Sequence, residues 1–306
     1  MTKYEEVFIF VKFFENNYNM GESNNREEQT TKKGTKKPEQ AEMSFLEHLE
    51  ELRWHIIKSV IAISIFAIAA FVLKSFIFDT IILKPKTADF WTNRMFSQLS
   101  DLLNTESLKI NQKDLSLISI KMADQFMMHI WTSIIAGFIL ASPVVFYEFW
   151  RFIKPALYEK EKKHASGAVF FTTVLFILGV LFGYYLIVPL SIHFLGTYSV
   201  SEQVVNQINT RSYISTVTSI SLASGVVFLL PIFSYFLSKV GILTPKFMKT
   251  YRKHAYVVML LLSAIITPPD VFSQIMVCIP LVFLYEIGIM ISRSVVKKRE
   301  KEMNEA

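Results

Sequence analysis

Apolar residues in this chain gather into long uncharged runs separated by short charged loops, a pattern that predicts membrane-spanning helices and not half-buried strands. Four runs have ordinary spanning length: Ile56–Leu73, Phe126–Tyr147, Ala165–Val188 and Ile214–Leu237. The long segment between the first two, ending near Asp124, predicts short helices packed on the outer face. Pro189 predicts the start of an outer loop that ends near Arg211. The last pair is different. Ala255–Thr267 is apolar but short, Pro268-Pro269-Asp270 forces a turn, and Val271–Ile291 returns carrying Pro280 and Glu286. Basic loops at Arg151–Lys163, Lys239–Lys253 and Arg293–Lys301 face one side only if the short run crosses. The expected fold is therefore an all-α integral membrane protein with six transmembrane helices, both ends inside and the last two helices short. The short pair then tilts little and thins the bilayer locally.

Just ahead of the first span lies Ser44-Phe-Leu-Glu-His-Leu-Glu-Glu-Leu-Arg-Trp-His55. Ser44 and Glu47 have the spacing of a capping box, and Phe45, Leu49, Leu52 and Ile56 fall on one helical face. The plain reading is an ordinary lead-in helix lying along the membrane surface. Its polar face is odd for that role, because Glu47, Glu50 and Glu51 outnumber Arg53 where a cytoplasmic surface helix usually carries Lys and Arg. Such a face suits a cationic partner. Upstream, Val7–Phe14 is too short to span, and Gly21–Gln40 is polar and lysine-rich and predicts disorder. The expected division is a disordered extension over 1–42, a membrane domain over 43–297 and a basic cytoplasmic tail over 298–306. Met20 and Met43 each precede a plausible downstream start, which N-terminal sequencing of the native protein tests.

Composition agrees with the membrane class: 52% of residues are hydrophobic, and the mean hydropathy is +0.36. The net charge of +6 sits beside the apolar runs and no nucleic-acid-binding motif is present, so nucleic acid is not an expected partner. Cys278 is the single cysteine and lies in an apolar run, excluding disulfides and cysteine-based metal sites. His129, His164, His193 and His254 lack metal-ligand spacing, and no cofactor is expected. The loop Trp150–Lys163 holds Glu159 and Glu161 among lysines, with Pro155 fixing a bend. These acids read either as charge balance in a basic loop or as a second carboxylate group near Glu51.

Four spaced blocks resemble the TatC family, the polytopic subunit of the twin-arginine protein translocase. They are Phe45-Leu-Glu-His-Leu-Glu-Glu-Leu-Arg53, Phe152-Ile-Lys-Pro-Ala-Leu-Tyr-Glu-Lys-Glu161, Leu262-Ser-Ala-Ile-Ile-Thr-Pro-Pro-Asp-Val-Phe-Ser-Gln274 and Tyr285-Glu-Ile-Gly288. The resemblance implies a signal-peptide receptor that helps export folded proteins across the cytoplasmic (inner) membrane. It implies as partners twin-arginine signal peptides, single-span TatA-type and TatB-type subunits, further copies of the chain, and membrane lipid. It assigns signal-peptide binding to Glu51 and Glu161, with Phe152 and Arg53 beside them. Guanidinium chemistry agrees, since each arginine offers a planar fork that a carboxylate binds bidentately and lysine cannot copy. The resemblance further places partner-helix docking at Thr267 and Gln274, and gives Pro85 the start of the outer loop. Pro155, Pro268, Pro269 and Asp270 are the structural positions of the matching blocks. Two departures stand out: Leu229 replaces an acid common in the family ahead of the proline matching Pro231, and His55 stands where a basic residue is common.

Glu286 is costly in lipid and must face protein or water, either as a paired structural residue or lining the groove for a partner helix. Glu148, close to a span end, is expected at the interface. No catalytic motif is present, so no enzymatic activity is expected. The competing function is a multi-span secondary transporter of a small molecule. That reading predicts more charged or glycine-broken midplane helices than this chain carries.

Overall fold

The computed structural model describes residues 45–104, 110–111, 115–153, 165–201, 203, 206–267 and 271–304, of which 45–48, 165–166, 272–273 and 299–304 as backbone alone. Expectations for residues 1–42, for the Ser44–Glu47 cap, for Pro155 and Glu161, and for the Pro268-Pro269-Asp270 turn lie outside the described residues. The chain divides into Met1–Leu49 and Glu50–Ala306. Described side chains belong almost wholly to the second unit.

Helix α1 (Phe45–Val72) is unbroken, which corrects the expectation of a surface helix followed by a separate span. No Gly or Pro interrupts the segment, so nothing opens the backbone ladder where the acidic turns meet the apolar ones. Beyond it the chain forms a π-helical segment (Phe76–Ile82), a short 3-10 turn (Lys84–Lys86) and α2 (Trp91–Leu103). These are the short helices expected in the first long loop. Strand β1 (Leu117–Ile118) pairs in parallel with β2 (Ile208–Asn209), tying the two long loops together at what we term the cap end.

Helix α3 (Asp124–Ile153) holds Pro143 in its interior. Helix α4 (Ala165–Phe182) does not stop at Pro189 as predicted. It passes through a π-helical turn (Gly183–Ile187) into α5 (Val188–Thr197), with Pro189 in the opening turn of α5. At the turn Val188 N–H reaches back to Gly183 O, five residues away. A new helical start falls there, and a proline at such a position loses no hydrogen bond. The fourth run does break at its proline, into α6 (Thr210–Val227) and α7 (Leu230–Val240) with Pro231 in the first turn of α7. After the short α8 (Pro245–Thr250) come α9 (Arg252–Ile266) and α10 (Val271–Asn304).

Among the described residues five stretches are long and apolar enough to cross a membrane: Leu49–Val72, Asp124–Ile153, Gly167–Thr197, Thr210–Val240 and Gln274–Lys298. Helix α9, at 15 residues, is shorter than these. Lipid is as apolar as leucine, so helices in it associate through close packing and interhelical hydrogen bonds. Both are visible between α7 and α10. A Cβ on Gly288 would lie 2.8 Å from Ser234 Oγ, and one turn along the Ser238 hydroxyl bonds that of Ser292 at 2.7 Å.

A buried hydrophobic cluster includes Ile187, Val188, Tyr213, Val217, Ile220 and Leu281. Tyrosine hydroxyls from α6 and the π-helical turn reach into the first long loop: Tyr213 donates to Ile82 O at 2.9 Å and Tyr184 to Ile81 O at 2.7 Å. Buried Asn93 donates to Pro85 O (3.0 Å) and Thr87 O (2.7 Å). Asn111 in turn donates to Asn93 Oδ1 (3.3 Å) and Pro189 O (3.0 Å). Arg211 pairs with buried Asp124 at 3.4 Å, joining the starts of α6 and α3.

Candidate functional site

Helix α1 is the least covered of the long helices, with 17% of its apolar window buried against 56% for Gly167–Thr197. Its contacts with α3 run antiparallel and are spaced along both helices. Near the cap, His129 of α3 stacks on Phe71 (centroids 3.9 Å apart, planes 7° from parallel), with Nε2 3.0 Å from Phe71 O. Midway, Gly137 faces Ala67 so closely that a Cβ would lie 2.6 Å from Ala67 N. At the opposite end, His55 meets Glu148.

That last contact joins residues 93 positions apart, His55 Nδ1 to Glu148 Oε2 at 2.5 Å, with side chains only 9% and 5% exposed. Glu148, expected near a span end at the interface, is buried in the protein against α1. Glu148 falls on the face of α3 turned to α1, and a buried carboxylate needs a partner there, which His55 supplies. One turn toward the N-terminus, Glu51 Oε1 lies 4.0 Å from His55 Nε2, outside hydrogen-bonding range. One turn beyond Glu148, the half-buried Phe152 ring meets His55 edge-on at 6.1 Å and 64°. Arg53 is exposed on the same helix as Glu51.

Glu51 Oε2 is buried and has no hydrogen-bond partner among the described residues. An unsatisfied buried polar atom costs ~1–3 kcal/mol, and more when charged. Such an atom calls for an explanation, and a ligand donor is one. A carboxylate with neither oxygen hydrogen-bonded among the described residues, beside an aromatic ring, is chemically suited to the N–H fork of a guanidinium. Of the four residues expected to bind signal peptide, Glu51 and Phe152 are thus brought to one cluster through His55. Arg53 lies on the adjoining exposed surface, and Glu161 is outside the described residues. Two members of the cluster, His55 and Glu148, were not assigned a binding role from sequence. Their signal is the four-residue spacing that places Glu51 over His55 on α1 and Glu148 over Phe152 on α3.

At the other end of the chain, the two expected docking residues face different grooves. Buried Thr267 donates back to Ser263 O (2.8 Å) and borders a polar groove with Arg211, Ser212, Ser215 and Ser219. Gln274 donates to Leu260 O (3.1 Å) and borders an apolar groove with Ile275, Cys278, Ile279 and Val282. Glu286 has both oxygens engaged, by Arg252 Nη2 at 2.8 Å and by the Tyr256 hydroxyl at 2.7 Å. Arg252 is the first residue of α9, so Glu286 lies level with the start of that short helix. Pro85 is buried and its carbonyl accepts from Asn93. Leu229 is buried at the α6–α7 break, where the family acid would stand.

Residues 47–280 match the family model of the Sec-independent protein translocase protein TatC. The chain belongs to the TatC family. A TatC protein of Blattabacterium is 44% identical over 265 residues, covering 86% of this chain and all of that one. The Aquifex aeolicus TatC is 34% identical over the same shares of the two chains. Two crystal structures described as the twin-arginine translocase receptor TatC superpose with TM-scores of 0.61 and 0.65. They are 33% and 34% identical and cover 82% and 80% of this chain and 100% and 99% of their own. This TatC chain is accordingly a multi-pass, mostly helical membrane protein of a protein-transport family whose members are translocase components and not enzymes. The matched segment contains Glu51, His55, Glu148, Phe152, Thr267 and Gln274, while Glu286 lies beyond it.

Proposed function

We propose that this TatC chain is the signal-peptide receptor and core subunit of a twin-arginine translocase in the cytoplasmic membrane. It exports folded proteins whose signal peptides carry consecutive arginines. The carrying observation is the buried Oε2 of Glu51, without a partner among the described residues, beside Phe152 and the His55–Glu148 contact. In this reading one arginine of the peptide engages Glu51 and its neighbour engages Glu161, which follows α3 in sequence, with Phe152 and Arg53 lining the approach. The chain crosses six times with both termini inside, α9 and α10 being the last pair, and the site then faces the cytoplasm. Helix α9 covers ~22 Å at 1.5 Å per residue, against a hydrocarbon core of ~30 Å. The bilayer thins there, or a single-span TatA-type or TatB-type helix covers the mismatch. Gln274 and Thr267 offer that helix two docking grooves, and Glu286 contributes as the ion-paired anchor between α9 and α10.

The test is binding of an Arg-Arg signal peptide to the purified full-length protein in detergent. Affinity is to exceed that of the Lys-Lys peptide by tenfold or more and to weaken as salt is raised. Equal affinity for the two peptides overturns the assignment.

A further inference from the structure

His55 stands between two carboxylates and is bound to only one. Its Nδ1 lies 2.5 Å from Glu148 Oε2, while Nε2 stops 4.0 Å from Glu51 Oε1. Glu51 and His55 are four residues apart on α1, the separation at which helix side chains pair most readily. Closing to an ordinary hydrogen bond needs a movement of only ~1 Å by either group. The contact that holds His55 comes from the other helix, and among the described residues the buried Oε2 of Glu51 also has no hydrogen-bond partner.

We infer that Glu148 is a positioning residue that keeps His55 from capping Glu51, and so holds the arginine receptor open. This rests on the reading of Glu51 as that receptor. A histidine whose Nδ1–H is committed to a carboxylate has its ring orientation fixed, as second-sphere carboxylates fix histidines at metal and catalytic sites. Held this way, the imidazole edge also lies against Phe152, keeping that ring beside the opening. Without Glu148 the ring is free to swing toward Glu51 and donate to it. The incoming guanidinium must then displace an intramolecular partner that shares the helix and is present at high effective concentration. Glu148 touches no peptide in this account. It acts through His55.

A mutant cycle separates this role from a merely structural one. Purified full-length protein is titrated with a fluorescent Arg-Arg signal peptide in detergent for wild type, Glu148→Ala and the double variant Glu148→Ala/His55→Ala. Glu148→Ala is expected to weaken binding on the order of tenfold, the scale of one charge-assisted contact. Removing the freed imidazole in the double variant is expected to recover most of that loss. If Glu148 only braces α1 against α3, the double variant binds as weakly as Glu148→Ala or more weakly, and the inference is overturned. Should the alanine variant not yield folded protein, Glu148→Leu fills the space and takes its place in the same cycle. Glu51→Ala serves as the control on the underlying reading. Unchanged binding in that variant removes the receptor assignment itself, whereas a loss there with no recovery in the double variant removes only the role of Glu148.

Discussion

The cap end and the opposite end of this molecule treat buried polar groups in contrary ways. At the cap, Asn93 and Asn111 spend their amides on Pro85 O, Thr87 O, Pro189 O and each other, and two tyrosine hydroxyls close on Ile81 O and Ile82 O. The donors there point at backbone carbonyls of other segments, so the loops are fastened to the helices. At the far end of α1 and α3, among the described residues, a histidine has one partner where two are in reach, and a carboxylate oxygen has none. Fully satisfied buried networks rigidify, whereas an unfilled valence stores a preference for something that is not yet there. One end is built to be finished and the other to be completed.

The largest effect expected at the cap comes from Asn93→Leu, which removes three contacts of an amide that is fully buried. At ~1 kcal/mol each, plus the carbonyls left without donors, the loss of stability is ~3 kcal/mol or more. Thermal unfolding in detergent reads it, and the folded fraction should bind Arg-Arg peptide as wild type does. A matching fall in peptide affinity would join the two ends that we have set apart. Leu229→Glu comes next. It buries a carboxylate at the α6–α7 break, at ~2.5–3 kcal/mol. We expect lower steady-state levels and no gain in export. A large gain would mean that the family's acid is needed here after all. Glu51→Gln should weaken Arg-Arg peptide binding by ~1.5–3 kcal/mol while thermal stability stays level or rises, the reverse of the Asn93 result. Smallest is Gln274→Leu, which removes one bond to Leu260 O and a polar group from an apolar groove. A loss of ~0.6–1 kcal/mol in docking a single-span subunit is expected, read by crosslinking from position 274, with peptide binding unchanged.

Much of this was legible from the chain. Long uncharged runs mark their own helices, because lipid leaves no other way to satisfy a backbone. Glu51 and Phe152 stood out because their blocks are specific. The misreadings share one cause, which is that a local signal cannot see the partner segment. Pro189 reads as a stop until the π-helical turn before it is known to supply a fresh start. The acidic turns before Ile56 read as a surface helix, although nothing in the backbone breaks between them and the span. The burial of Glu148 is not legible because it depends on α3 lying against His55 from 93 residues earlier. Nor could the sequence show that Thr267 and Gln274, which flank one turn, border separate grooves.

The contacts between α1 and α3 also act as a ruler. His55 with Glu148, Ala67 with Gly137 and Phe71 with His129 pair each advance along one helix with a retreat along the other. Adding or deleting one residue between any two of these points turns everything beyond it by ~100°. One histidine would then keep its partner while the other faced lipid. The spacing of the two helices is closely matched from His55–Glu148 to Ala67–Gly137, twelve residues on α1 against eleven on α3, so side chains there can be exchanged far more freely than the count of positions between them. Length variation is tolerable only outside the three pairs: ahead of His55, in the cap, or beyond Glu148.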